Sequence, residues 1–306
     1  MKPISQAVDD YLRLRRGLGF KLRDESRVLQ DFAAFLQRQG TTHITTRLAI
    51  RWATRPRNVH PSHWARRLTM VRLFAIHWRA HDPRTEVPPA GAIPGRCARA
   101  RPYLYSKDEI RRLINAARGL RTKSGLRPKT YVTVFGLLTV TGMRVSEIIA
   151  LDRDDMDLDR GVLTIRHTKF GKSRFVPVHP STRRALRRYA DQRDQVYPRP
   201  STPSFFLGER GTRLTWWIVR WTFVQLSKQI GLRRPADSHG PRLHDFRHRF
   251  AVETLLGWYR AGVDVEQRIP HLATYLGHTH VSDTYWYLSA VPELMQLVVA
   301  RLEKGS

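Results

Sequence analysis

Along the first eighty positions, apolar residues recur with the period of helices, and no stretch shows the alternation of a strand. Val8, Tyr11, Leu12 and Leu14 open one periodic stretch, which the segment from Gly17 to Gly19 breaks. Val28, Leu29, Phe32, Phe35 and Leu36 form a second, closed by Gly40. The spacing predicts a third helix over Thr46 to Ala53 and a fourth from about Pro61 to His77. In the fourth, Trp64, Leu68, Val71 and Phe74 interleave with Arg66, Arg67 and Arg72, so an apolar stripe lies beside a basic one. Residues 1–87 therefore read as a small helical domain. The PPAGAIPG run from Pro88 to Gly95 reads as the start of a linker over residues 88–102. A second domain is expected over residues 103–306.

In that second domain, Ser106-Lys107-Asp108-Glu109 has the pattern of a capping box opening a helix from Glu109 to Ala117. Tyr131 to Val140 reads as a buried helix. Val162 to Thr168 and Arg174 to Val178 read as short strands around a hairpin turn, Lys169-Phe170-Gly171-Lys172. Helices are expected again over Thr182 to Arg193, Trp216 to Ile230, His244 to Tyr259 and Pro292 to Glu303. The fold class this predicts is mainly α with a small antiparallel β-sheet, an α+β chain of two domains. The final helix, with Leu294, Leu297, Val298 and Leu302 on one face, can pack on its own domain or dock on a neighbouring protomer.

Composition narrows the setting. Apolar runs such as Val132 to Val140 are too short to span a bilayer, and Met1 to Asp10 has no apolar core of a signal peptide. A single cysteine, Cys97, excludes internal disulfides and cysteine-based zinc sites and suits a reducing cytoplasm. Charge says more. Lys and Arg number 54 against 26 acids, a net +28 that attracts a polyanion. Residues 1–100 hold 19 basic and 7 acidic side chains and the remainder holds 35 and 19, so both domains are suited to one nucleic acid. Most of the cations are arginine, whose fork matches phosphate oxygens as lysine cannot.

Four separated stretches carry groups suited to a phosphate. Thr141-Gly142-Met143-Arg144-Val145-Ser146-Glu147 marks a helix break and puts Arg144 near a helix N-terminus, where backbone amides also favour an anion; alternatively Arg144 is a surface cation paired with Glu147. The hairpin offers Lys169 and Lys172, either of which can swing toward a ligand or merely be solvated. In His244-Asp245-Phe246-Arg247-His248, His244 and Arg247 share a helix face. His244 and His248 also have the spacing of a zinc pair, but Arg247 on that face opposes a cation and no glutamate follows the first histidine. Last comes Leu276-Gly277-His278, with Tyr287 nine residues after the histidine and Tyr285 two residues short of it.

Together these stretches resemble the tyrosine recombinases, the family of phage integrases, Xer-type recombinases and related transposon enzymes. The resemblance covers the chain from about Tyr103 onward; residues 1–87 resemble, more weakly, the family's helical core-binding domain (SAM-like). It implies that Arg144 and Arg247 clamp the scissile phosphate, that His244 and His278 are catalytic, that Lys169 rather than Lys172 is the general acid, and that Tyr287 rather than Tyr285 is the nucleophile. It implies a 3′-phosphotyrosyl intermediate, Holliday-junction chemistry, and no metal, ATP or other cofactor. The implied partners are double-stranded DNA with specific recombination sites and further copies of the chain in a tetrameric synapse, with sister recombinases or accessory factors as additional candidates. Integration, excision or transposition of a mobile element by a cytoplasmic, nucleoid-associated bacterial protein is the expected setting. Two alternatives share these residues: a type IB topoisomerase or telomere resolvase, and a catalytically silent DNA-binding protein on the same fold. A merely basic RNA-binding protein explains the charge but not the order of the motifs.

Overall fold

The computed structural model describes residues 3–95, 102–166, 173–237, 240–290 and 293–296. Cys97, Lys169, Lys172, Leu297, Val298 and Leu302 lie outside the described residues. The chain divides into two compact units, Met1–Ala100 and Arg101–Ser306.

The first unit is built from four helices: α1 (Ile4–Gly17), α2 (Arg23–Arg38), α3 (Thr46–Ala53) and α4 (Pro61–Trp78). Each follows the apolar period, and the ends have local causes. The Thr45 hydroxyl accepts the Leu48 N–H at the start of α3, and Pro61 occupies the first turn of α4, where its missing donor costs nothing. Val8, Leu12, Phe32, Leu36, Trp52, Val71 and Phe74 are buried together in one core. Trp52 anchors it: Phe32 meets its ring edge-on at 5.0 Å, the Arg67 guanidinium lies 3.8 Å from the ring centroid, and its indole N–H donates to Asp31 at 3.0 Å.

The PPAGAIPG run differs from the expected linker. Ile93 is buried in the core of the first unit, and Gly95 approaches α4 so closely that a Cβ there would sit 2.3 Å from the Ala65 Cβ. Proline and glycine, which suggest a loose tether, here let an irregular backbone lie flat on a helix: proline brings no N–H to satisfy and glycine no side chain to clear.

The second unit contains α5 (Lys107–Arg118), α6 (Leu126–Thr141), α7 (Val145–Ala150), β1 (Met156–Asp157), β2 (Val162–Ile165), β3 (Arg174–Pro177), α8 (Pro180–Val196), α9 (Trp216–Gln229), α10 (Asp245–Arg260), α11 (Val265–Leu276) and α12 (Ser282–Ala290). The three strands form an antiparallel sheet in the order β1-β2-β3, with Leu163 opposite Val176. Helix α6 runs through the core: Val134, Phe135, Leu137 and Leu138 are buried, and α5, α8 and α10 pack around it. The capping box at α5 is complete, the Ser106 hydroxyl accepting the Glu109 N–H at 3.1 Å and Glu109 accepting the Ser106 N–H at 2.7 Å.

Helices α11 and α12 are absent from the apolar reading of the chain. Pro270 lies inside α11, where Val265, Ile269, Leu272 and Leu276 are buried in a second cluster with α10, which outweighs the lost hydrogen bond. Among the described residues no helix is long and apolar enough to cross a membrane. In the C-terminal segment, Leu294 is buried in the same cluster of its own chain as Leu255, Leu276 and Tyr287.

Truncation of Ile93 to Ala distinguishes a packed strap from a tether. The expected cost in urea unfolding of the full chain is about 2 kcal/mol, the lower end for a buried isoleucine; a passive linker would show less than about 0.5 kcal/mol.

Candidate active site

The four stretches separated in sequence converge in the second unit. Helix α6 ends at Thr141, and Gly142 turns the chain with φ of 60°. A Cβ at Gly142 would meet the Phe250 ring of α10 at 2.6 Å, so this turn needs glycine for both conformation and space. The turn delivers Arg144 to the N-cap of α7, where Glu147 accepts its backbone N–H at 2.9 Å and its Nη1–H at 2.8 Å. The pairing expected of a surface arginine is thus present, but it belongs to a larger network. Arg144 Nη2 reaches the Gly277 carbonyl at 3.2 Å, in the LGH stretch.

Glu147 is buried and holds a second cation. Arg174, at the start of β3, donates to both carboxylate oxygens at 3.0 and 2.7 Å, and its Nε–H donates to the Tyr275 carbonyl at 2.9 Å. Burial alone would raise the Glu147 carboxyl; Arg174, with Arg144, outweighs it and holds the group below its ordinary value. Gly277, with φ of 69°, lies against the same guanidinium: a Cβ would fall 2.7 Å from Arg174 Nη1.

Arg247, on the first turn of α10, is 2% exposed. Its Nη1–H donates to the Gly142 carbonyl at 3.1 Å and its Nη2–H to the Leu276 carbonyl at 2.6 Å, tying the two glycine turns together. Burial first, then the charge of Arg144, lower its pKa to about 10, so it remains a cation at neutral pH; Tyr287 and Glu147 act in the opposite sense. His244 caps α10. It opens onto solvent, but its ring packs perpendicular to His248 with centroids 4.7 Å apart. Desolvation on that packed side, and next the charge of Arg247, push its imidazolium down to about 4.

The two tyrosines separate cleanly. Tyr285 is 46% exposed, whereas Tyr287 is 1% exposed and its hydroxyl lies 3.2 Å from His248 Nδ1. The His278 ring is near-parallel to Tyr287 at 6.3 Å, and its Nδ1 is paired with the Thr284 hydroxyl at 2.7 Å. The structure therefore brings Arg144, His244, Arg247, His278 and Tyr287 into one neighbourhood through shared carbonyls, stacked rings and charge. Lys169 lies outside the described residues; β2 and β3, the strands on either side of its turn, pair as the pattern predicts.

Comparison with known proteins gives the family. Residues 104–293 match the model of the phage integrase family. The chain belongs to that family. Its members are the tyrosine recombinases, enzymes that transfer DNA strands. The putative integrase/recombinase y4rB of Sinorhizobium fredii is 53% identical over 99% of this chain and 98% of its own length. The tyrosine recombinase XerD of Caulobacter vibrioides is 28% identical over 89% of this chain and 86% of its own. Among solved structures, the Tn1549 transposon integrase in complex with transposon right end DNA has the same fold, with a TM-score of 0.70 at 16% identity over 99% of both chains.

Two residues of this neighbourhood are not picked out by the sequence. Arg174 reads from the sequence only as the first residue of a strand. A signal existed: it shares the face of β3 with buried Val176, while Phe175 between them is 71% exposed, so the charged residue points inward and the aromatic one outward. His248 was weighed only as half of a zinc pair, and its contact with Tyr287 spans 39 positions, beyond any local pattern.

Two outcomes check the site. Gly277→Ala is expected to destabilise the protein by about 1–2 kcal/mol, from the left-handed backbone and the crowded Arg174, measured by thermal unfolding. In the DNA-free protein, NMR titration of His244 is expected to give a midpoint near 4. Its folded value lies below its unfolded one, so its contribution to stability is full above about pH 6.5 and falls away as pH drops toward 4. A His244→Gln variant should lose that part of the pH dependence.

Proposed function

We propose that the chain is a site-specific recombinase of a mobile element, cleaving and rejoining double-stranded DNA through a 3′-phosphotyrosyl link on Tyr287. The observation that carries this reading is the convergence of a buried tyrosine hydroxyl, two histidines and the Arg144–Glu147–Arg174 network with Arg247 on the two glycine turns. Attack of the Tyr287 oxygen on phosphorus builds negative charge on the equatorial oxygens. Arg144 and Arg247 supply the compensating charge from positions already fixed, so little reorganisation accompanies the reaction. His244 and His278 add hydrogen bonds to the same phosphate; His244, neutral before DNA arrives, gains affinity for a proton once an anion is beside it.

As the new O–P bond forms, the bond to the 5′ oxygen breaks and that oxygen takes a proton, which we assign to the Lys169 ammonium, with Lys172 as the alternative. The phosphotyrosyl bond conserves the energy of the original ester, so a second 5′-hydroxyl reverses the step without ATP or metal. The first unit, with 19 basic against 7 acidic side chains over residues 1–100, binds the same duplex through its phosphates, and four copies on two duplexes form the synapse. A cytoplasmic, nucleoid-associated location follows from this substrate.

The test is a pool of random-sequence duplexes, each carrying one nick, incubated with the protein and resolved on a denaturing gel. A covalent adduct should form, its tryptic peptide should carry DNA on Tyr287, and sequencing the linked end gives the recombination site. Tyr287→Phe should abolish the adduct with binding changed less than about twofold. An adduct attached to Tyr285, or none from the parent protein on any duplex, would overturn the assignment. Arg144→Ala or Arg247→Ala should slow adduct formation far more than it weakens binding; equal losses would make these residues simple phosphate anchors.

A further inference from the structure

A phenol is a poor nucleophile until it loses its proton, with an ordinary pKa of ~10. Some group must take that proton, and the reaction's other participants are committed elsewhere: Arg247 holds two carbonyls, and His278 pairs its Nδ1 with Thr284. His248 is placed differently. It lies one residue past Arg247 on α10, is 5% exposed, and directs Nδ1 at the Tyr287 hydroxyl from 3.2 Å. On the opposite side of its ring, Nε2 lies 3.9 Å from Oδ1 of Asp245, which is 1% exposed. Asp245 is itself held, accepting the Arg242 backbone N–H at 2.7 Å and Arg242 Nη2–H at 3.0 Å.

The order carboxylate, imidazole, hydroxyl fixes the chemistry. A buried carboxylate beside Nε2 favours the tautomer with its proton on Nε2, which leaves the Nδ1 lone pair as acceptor for the phenol O–H. The same carboxylate stabilises the imidazolium once Nδ1 has gained a proton. The i, i+3 spacing of Asp245 and His248 on one helix sets the pair rigidly, and Tyr287 is brought to it by packing of α12 on α10 and α11.

We propose that His248 is the general base of the cleavage step, with Asp245 as the positioning residue that sets its tautomer. This rests on Tyr287 being the nucleophile. As the Tyr287 oxygen bonds to phosphorus, its proton passes to His248 Nδ1, the bond to the 5′ oxygen breaks, and the departing oxygen takes the separate proton of the general acid. In religation His248 returns its proton to the phenol oxygen. His244, at the front of this helix, is thereby left to the phosphate.

The experiment uses the full chain with a nicked duplex carrying the sequence recovered from the random pool. His248→Asn keeps an acceptor at the Nδ1 position but cannot take a proton. It should slow phosphotyrosyl formation in single turnover by about a hundredfold or more, the usual scale for a general base, with duplex binding unchanged. Replacing Tyr287 by the more acidic 3,5-difluorotyrosine should then recover most of that loss in His248→Asn, while changing the parent by less than about tenfold. Cleavage by His248→Asn within about threefold of the parent overturns the proposal, and so does a deficit that is the same with either phenol. A second measurement needs no variant at position 248: nitrogen NMR of the histidine-labelled protein should show His248 as the Nε2–H tautomer, its Nδ1 resonance shifting in Tyr287→Phe. An Nδ1–H tautomer would refute the base role even if the variant fails to fold. If the parent adduct maps to another residue, it is the Tyr287 reading that fails, whatever the behaviour of His248.

Discussion

Three guanidinium groups, those of Arg144, Arg174 and Arg247, are crowded into one region, and the buried carboxylate of Glu147 is what makes that crowding tolerable in the absence of DNA. Arg144 and Arg174 bind it directly, and Arg247 feels its charge while being repelled by the other two. A site for a phosphodiester must present several fixed positive charges before the anion arrives, and such charges repel one another across a partly desolvated space. A single carboxylate resolves the conflict by binding two of the cations at once. Removing it would leave buried positive charge without compensation, a greater penalty than the loss of one ion pair.

The backbone completes the scaffold. Arg247 reaches the carbonyls of Gly142 and Leu276, and Arg144 that of Gly277, so the two glycine turns are bound to the guanidinium groups they surround. At each turn a side chain would strike a neighbour, Phe250 or Arg174. Distant segments are joined here through the donors of two guanidinium groups, which fixes those cations in place. Tyr287 is held as firmly, buried in the cluster of α10, α11 and α12 with its hydroxyl against His248.

Much of this was legible in advance. The periods of apolar residues located the four helices of the first unit, with Thr46 and Ala53 as the ends of α3, because those helices bury one face each and carry local caps. The capping box at Ser106 and the strand pair around the lysine turn were also local matters. Where local chemistry and packing disagreed, the sequence misled. The PPAGAIPG run looked like a tether and is a strap on α4, because Ile93 has a core to enter. No apolar period marks α11, and it forms, with Pro270 inside it, because its apolar face is buried.

The sequence by itself determined the kind of site. Residue types at set spacings, Arg144 before Glu147, His244 before Arg247, Tyr287 nine after His278, are short-range facts that survive without a fold. Only the tertiary structure decided which of the neighbouring candidates faces inward. Tyr285 and Tyr287 are two residues apart on one short helix, and burial of one against α10 separates them. Arg174 gains its place from the pleat of β3, and His248 gains its partner from a contact across 39 residues. The reason is physical: spacing within an element fixes which side chains share a face, but what that face meets depends on chain segments brought there by burying the rest of the molecule.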